Sequence, residues 1–528
     1  MNRRRKKWIG TALLGICAGL AGSVAARAAE PVQVAVTIRA DQPGPTINPN
    51  VYGQFAEHLG AGIYEGVWVG EKSPIPNTNG YRNDVIAALK NLKVPVVRWP
   101  GGCFADEYHW RDGIGPREKR PVKVNTHWGG VPETNEFGTH EFMAFAEMIG
   151  TKVYISGNVG SGSPQEMADW MEYMTSNTVS TLANERRKNG REQPWDVHYF
   201  GIGNETWGCG GNMRPEFYAD LFRQYATYIK APRGKRPVIV ASGGNDELTV
   251  WVDVLTKSVL AKNVKRDLDA ISHHYYTIPG KEWRNKGKSI GFPEAEWIST
   301  LNHTMRIDEY ITNNVKILEE RDPQNRIAFY VDEWGTWYDS EPGREPGFLW
   351  QHNTLRDALV AGLNFNIFHR HARRVTMTNI AQMVNVLQAM ILTEGPKMAL
   401  TPTYHVFQMY IPFQGATWLP TEINTADYKL GDYTVPSVSV SAARDTEGRL
   451  QLALVNLDPN REAVVTTSLT GAKASGALGR VLTSKTMDAR NTVDAPEAIT
   501  PVKISAARKG DALVLRLPPK SVSVVRLQ

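Results

Sequence analysis

The sequence predicts an α/β protein in which a (β/α)8 TIM-type barrel is joined to an antiparallel, jelly-roll-like β-sandwich. Three observations predict it. Between Val51 and Thr393, short β-branched runs alternate with longer segments of helical spacing, and eight such units can be traced. Beyond Gly395 the pattern changes to apolar–polar alternation broken by turn residues. The same alternation occurs once before the barrel, in VQVAVTIRAD, so the sandwich is expected to take a strand from the N-terminal side.

The 528 residues therefore divide into a leader at 1–28, a sandwich strand at 29–50, a barrel at 51–395 and the rest of the sandwich at 396–528. In the leader, MNRRRKK is a cationic start, WIGTALLGICAGLAGSVAA an apolar core, and ARA a small-x-small cleavage site. These features read as a signal peptide, by the Sec or the twin-arginine route, and place the mature chain in the periplasm or outside the cell. No other apolar run is long enough to cross a bilayer, so no membrane anchor is expected. Arg3, Arg4, Arg5, Lys6, Lys7 and Arg27 account for the formal charge of +6. The remainder is close to neutral, which argues against a nucleic-acid partner.

Taken in order, the barrel strands are expected in VYGQFAEH, VPVVRWPGG, KVYISGNVG, VHYFGIGNE, RPVIVASGG, LDAISHHYY, RIAFYVDEWG and RVTMTNIAQ. Helical spacing marks NDVIAALKNL, GTHEFMAFAEMIG, RPEFYADLFRQYATYIK and NTLRDALVAGLNFNIFHRHA among the intervening segments. An open doubly wound sheet is the alternative, but no G-x-G-x-x-G follows the first strand. The sandwich strands are expected in PSVSVSAARD, GRLQLALVNLD, EAVVTTSL, DALVLRLPP and SVSVVRL.

Barrel chemistry sits at strand C-termini, and the residues there are polar. Glu57, Arg98, Asn158, Asn204 with Glu205, His274 with Tyr276, Glu333 and Gln382 end successive strands, with Trp99, Trp207, Trp334 and Trp337 close in sequence. Amides, carboxylates and flat aromatic faces suit a sugar. Glu205 and Glu333, on the fourth and seventh strands, would face each other across the mouth, as the two carboxylates of a glycosidase do. A retaining enzyme needs them ~5 Å apart and differently titrating. Asn204 is suited to hold a hydroxyl beside the reacting carbon, and Tyr276 to donate to the nucleophile.

FGIGNE, VDEWGTW, VVRWPGG, FAEHLG and AQMVNVL, in their positions along the chain and with DGIGPR and FGTHEF, closely resemble glycoside hydrolase family 51, the α-L-arabinofuranosidases. The resemblance implies a retaining mechanism with Glu205 as acid/base and Glu333 as nucleophile. It implies substrate-binding roles for Glu57, Arg98, Asn204, His274, Tyr276 and Gln382, to which Trp207 is added as a stacking face. It also implies a homo-oligomer, often a hexamer. One departure is Cys103, where many members carry Asn after PGG. The expected substrate is an arabinose-containing poly- or oligosaccharide, and no metal or organic cofactor is needed because two carboxylates carry the chemistry. A β-xylosidase or endoglucanase on the same scaffold, or a catalytically silent carbohydrate-binding protein, are the alternatives.

Other signals have plainer readings. Asp332 rivals Glu333, but neighbours on a strand point to opposite sides, so one of the two is expected to face the lumen and Asp332 to be a buried structural acid. His273-His274 and His369-Arg-His371 lack a zinc-type spacing and are expected to be structural or substrate-orienting, with no metal site. Cys103 and Cys209 fall on loops at one rim and are candidates for a disulfide.

Overall fold

The computed structural model describes residues 30–231, 234–261, 267–280, 282–510 and 512–528. The leader expected at 1–28 lies outside the described residues. Eight parallel strands close a barrel: β1 Gly53–Phe55, β2 Val96–Trp99, β3 Lys152–Gly157, β4 Tyr199–Ile202, β5 Val238–Ala241, β6 Ala270–Thr277, β7 Ala328–Thr336 and β8 Val375–Ile380. Each falls within the segment expected for it, apart from β6 and β7, which run one residue further, to Thr277 and Thr336. β8 pairs with β1 to complete the ring.

The barrel interior is packed, not hollow. Val96, Tyr154, Tyr199, Val240, Ala270, Tyr330 and Met377 form one apolar layer across it. Gly201 makes this layer possible: a Cβ there would sit 3.1 Å from the Tyr154 ring. Helices Asn83–Leu92, Thr139–Ile149, Pro215–Tyr228 and Leu355–Arg370 occupy the stretches where apolar residues recur at helical spacing.

The second unit is a ten-stranded sheet folded into two layers, which Val502–Lys509 connects by pairing with Ala477–Leu482 on one side and Ala512–Leu517 on the other. Val32–Arg39 enters it from the N-terminal side. It runs antiparallel to Thr421–Asn424 but parallel to Ala463–Thr470, so the sandwich contains one parallel pair. Every second residue of Val32–Arg39 is buried, in step with the alternation in the sequence.

Helix Leu355–Arg370 locks the two units together, since every residue from Leu355 to His369 is buried. His369 contacts the Tyr52 hydroxyl at 2.7 Å and the Ser441 hydroxyl at 2.9 Å, thereby linking barrel, helix and sandwich. His371 pairs with Asp308 at 2.6 Å. These contacts give the His369-Arg-His371 motif a structural role.

Candidate active site

The mouth is built on one local irregularity. Tyr330 pairs with Ser272 but Glu333 pairs with His274, so three steps along β7 match two along β6. This bulge cancels the strand alternation, and both Asp332 and Glu333 point into the lumen. The expectation that only one of them could do so is corrected. Asp332 is a buried acid, yet it belongs to the site's polar cluster: its carboxylate accepts from the Tyr154 hydroxyl at 2.7 Å and lies 3.2 Å from His274 Nε2. His273 turns the other way and packs against Phe329 and Tyr310.

Glu205 follows β4 in a left-handed backbone conformation, φ +40°, which turns its side chain over the mouth. His274 Nδ1 lies between the two glutamates, 2.8 Å from Glu205 Oε1 and 3.4 Å from Glu333 Oε2. Oxygens of both glutamates and a nitrogen of His274 fall within 4.8 Å of one another.

The surroundings of the two carboxylates differ. Glu333 accepts from Arg98 Nη1 at 2.8 Å and from the Tyr276 hydroxyl at 2.8 Å. Glu205 has His274 as its polar partner, and burial pushes its carboxyl above the usual range; His274 opposes that rise and the Glu333 charge adds to it. Burial also works against protonated His274, but Glu333, Asp332 and Glu205 outweigh it and raise the imidazole to about 10. Burial likewise opposes the Arg98 charge, and Asp332 and Glu333 again prevail.

Around this pair stands a hydroxyl-binding shell. Arg98 Nη2 donates to Asn204 Oδ1 at 2.5 Å. Glu57 accepts from the backbone N–H groups of Gly102 and Phe104, from Trp128 Nε1 at 3.0 Å and from Gln382 Nε2 at 2.9 Å. Burial, then the charge of Glu333, lifts Glu57 to about 7 despite these donors. The other polar end of Gln382, Oε1, is buried without a protein partner, which suits a sugar hydroxyl as donor. Trp207 lines the cavity beside Glu205.

Cys103 and Cys209, 106 residues apart, form a disulfide with Cα atoms 5.5 Å apart. It ties the loop after β2, whose backbone holds Glu57, to the loop after β4, which carries Glu205. Cys209 Sγ lies 3.6 Å from Glu205 Oε2.

Three residues at strand ends do not join the site. Asn158 bonds to the Tyr108 carbonyl and to Ser161, organising its own loop. Trp99 and Trp334 are core residues; their indole N–H groups reach His58 Nε2 and Thr378 Oγ1. Two residues escape a strand-end search because loops supply them. Trp128 is one. Asp106 is the other: its carboxylate accepts from the backbone N–H groups of Val159, Gly160 and Asn204. It thereby pins the loops after β3 and β4, and burial raises it to about 7 against those donors.

Comparison with known proteins agrees with this geometry. Residues 88–288 match the family description alpha-L-arabinofuranosidase 1 domain, and residues 332–521 match alpha-L-arabinofuranosidase C-terminal domain. An intracellular exo-alpha-L-arabinofuranosidase of Bacteroides ovatus is 46% identical over 98% of this chain and 99% of its own length. The crystal structure of the GH51 arabinofuranosidase from Xanthomonas axonopodis pv. citri superimposes with a TM-score of 0.92 at 54% identity, covering 94% of this chain and all of that one. A thermostable GH51 alpha-L-arabinofuranosidase from Thermotoga petrophila gives a TM-score of 0.81 at 28% identity, with 94% of this chain covered and 100% of that one. The expectation of a periplasmic or secreted enzyme is corrected: the relative that aligns over nearly the whole chain is named intracellular, and a cationic start before an apolar run does not by itself fix a compartment. No helix among the described residues is long and apolar enough to cross a membrane. Matched along almost its whole length in sequence and in fold, the chain belongs to glycoside hydrolase family 51, the α-L-arabinofuranosidases.

Proposed function

We propose that the chain is a retaining, exo-acting α-L-arabinofuranosidase that releases terminal α-L-arabinofuranosyl groups from arabinan- or arabinoxylan-type saccharides. One observation carries the reading: two carboxylates within 4.8 Å of one another, held in unlike environments on either side of His274. That separation suits direct attack by one carboxylate, whereas an inverting pair stands ~6.5–9.5 Å apart to admit a water. Glu333, held by Arg98 and Tyr276, attacks the anomeric carbon. Glu205, whose carboxyl burial pushes above the usual range, protonates the departing oxygen. The resulting arabinosyl ester on Glu333 is hydrolysed by a water from which Glu205, now ionised, takes a proton.

Glu57, Asn204 and Gln382 hold the furanose hydroxyls, and Trp207 lies against the departing side. The chemistry requires no metal. The catalytic unit is drawn at residues 51–395, with 29–50 and 396–528 as the sandwich, and a homo-hexamer is the assembly to test by light scattering. A panel of nitrophenyl glycosides tests the activity. Release from the α-L-arabinofuranoside well above the β-xyloside and the cellobioside is expected, and no release from the arabinofuranoside would defeat the proposal.

A further inference from the structure

The rim of the site carries a second donor set, which hydrolysis does not use. Cys103 Sγ, Cys209 Sγ and a carboxylate oxygen of Glu205 all lie within 4.8 Å of one another, and the three residues are partly exposed. The two oxygens of Glu205 are not equivalent. Oε1 is 2.8 Å from His274 Nδ1, whereas Oε2 stands 3.6 Å from Cys209 Sγ. Oε2 is therefore the oxygen left to carry a proton to a departing group. In the oxidised chain the sulfurs are bonded to each other and offer no thiolate. In a reducing compartment the same pair is two thiols.

Other bonds keep these groups together when the disulfide is cut. Asp106 ends the short helical turn Cys103–Asp106, and its carboxylate accepts from the Asn204 N–H at 2.9 Å, next to Glu205. The Gly208 and Gly210 N–H groups donate to the Glu205 carbonyl at 2.7 and 3.1 Å, which folds Cys209 back towards the acid. A tetrahedral zinc ion, with Zn–S about 2.3 Å and Zn–O about 2.0 Å, holds a sulfur and an oxygen about 3.5 Å apart and two sulfurs about 3.8 Å apart. The first spacing is already met by the 3.6 Å between Cys209 and Glu205. The second follows when the freed sulfurs turn apart about their Cα–Cβ bonds, on Cα atoms 5.5 Å apart. Two thiolates with one carboxylate suit a thiophilic cation and disfavour Mg²⁺ or Ca²⁺.

We propose that the reduced chain holds a thiophilic divalent cation such as Zn²⁺ between the Cys103 and Cys209 thiolates and Glu205 Oε2, and that this ion silences the enzyme by occupying the acid's free oxygen. The inference rests on the hydrolase reading above and adds a control to it. A phosphine or thiol reductant supplies the two electrons. With a phosphine the S–S bond breaks, phosphorus takes the oxygen of a water to become the phosphine oxide, and the two water hydrogens end on the sulfurs. Binding the ion then releases both thiol protons to solvent. Oxidation by a small disulfide, itself reduced to two thiols, re-forms the Cys103–Cys209 bond, removes two of the three ligands and frees the acid.

The test compares the full chain, reduced with a phosphine and desalted without oxygen, with the oxidised chain. Co²⁺ is titrated first, because its thiolate bonds give a near-ultraviolet charge-transfer band that does not depend on turnover. One Co²⁺ per reduced chain should develop the band, and Zn²⁺ should displace it. Zn²⁺ should also lower kcat/KM of the reduced chain on an arabinosyl oligosaccharide by about 10²-fold or more relative to its own metal-free rate, and a chelator should restore it. The oxidised chain should neither bind the ion nor lose activity. Cys103→Ser, Cys209→Ser and Glu205→Gln should each weaken Co²⁺ binding by at least the ~10-fold that losing even an outer-sphere partner costs. Absence of the band in reduced wild type overturns the site, as does equal Zn²⁺ inhibition of the reduced and oxidised chains. A Glu205→Gln variant that binds as tightly as wild type overturns it too. A chain that binds one ion when reduced, but cleaves no arabinofuranoside when oxidised and metal-free, leaves the metal site standing and defeats the activity instead.

Discussion

Asp332→Asn removes one negative charge from the centre of the site while keeping the side chain's shape. Asp332 is 1% exposed and stands 3.2 Å from His274 Nε2 and 3.8 Å from Arg98 Nε. The amide can still accept from Tyr154, so the loss is mainly electrostatic. Removing one partner of a buried ion pair costs about 3–5 kcal/mol, and urea unfolding at pH 7 should show a loss of that order. The pH dependence follows from two shifts of opposite kind. Burial raises the Asp332 carboxyl, but Arg98 and His274 outweigh it and hold it below the ordinary range. Its contribution is therefore present above the unfolded value of about 4 and is lost as pH falls through the lower folded value, where wild type and variant should converge. His274 is raised from 6.5 to about 10, so its contribution is full below pH 6.5 and is lost as pH rises through about 10. Without Asp332, His274 releases its proton at a lower pH, and the stability it contributes should be lost from that lower pH. Equal stability at pH 7, with superimposable pH profiles, would refute the account of this cluster.

Glu205→Ala should lose about 10²–10⁴-fold in kcat/KM, which reports formation of the ester, on arabinosyl oligosaccharides. It should lose far less on a dinitrophenyl arabinofuranoside, whose departure needs no proton; equal losses on both would remove Glu205 from the acid role. Trp128→Phe deletes an N–H donor to buried Glu57, a contact to a charged group worth about 1.5–3 kcal/mol, and should raise KM by one to two orders of magnitude; an unchanged KM would show that Glu57 does not depend on it. Reduction of the Cys103–Cys209 disulfide should lower activity while the barrel stays folded. Thiol titration of the native protein should find both cysteines blocked, and two free thiols in fully active enzyme would contradict the disulfide's place at the rim.

Much of this was legible in the sequence, for reasons that particular residues make plain. Strand and helix periods differ, so the β-branched runs of the barrel and the alternation of Val32–Arg39 mark their elements directly. Glu57, Arg98, Glu205, His274, Glu333 and Gln382 end their strands, and closing the barrel brings those ends together. What period and position cannot encode is register. The bulge that turns Asp332 inward depends on how β7 pairs with β6, and no local residue pattern announces it. Trp128 and Asp106 reach the site from loops whose paths are set by tertiary packing. Trp99 and Trp334 show the converse: next to a polar strand end, an aromatic can still belong to the core. A leader-like run of charge and hydrophobicity is likewise a pattern that does not determine location.

The most direct measurement is covalent capture of the nucleophile. Glu205→Ala can still form an ester with a dinitrophenyl arabinofuranoside, because that leaving group needs no acid, but it lacks the base that speeds hydrolysis. Rapid acid quench, proteolysis and mass spectrometry should find one pentosyl unit on the peptide containing Glu333. Label on any other peptide, or a steady-state product of inverted anomeric configuration formed without an ester, would contradict the claim that Glu333 and Glu205 act as a retaining pair.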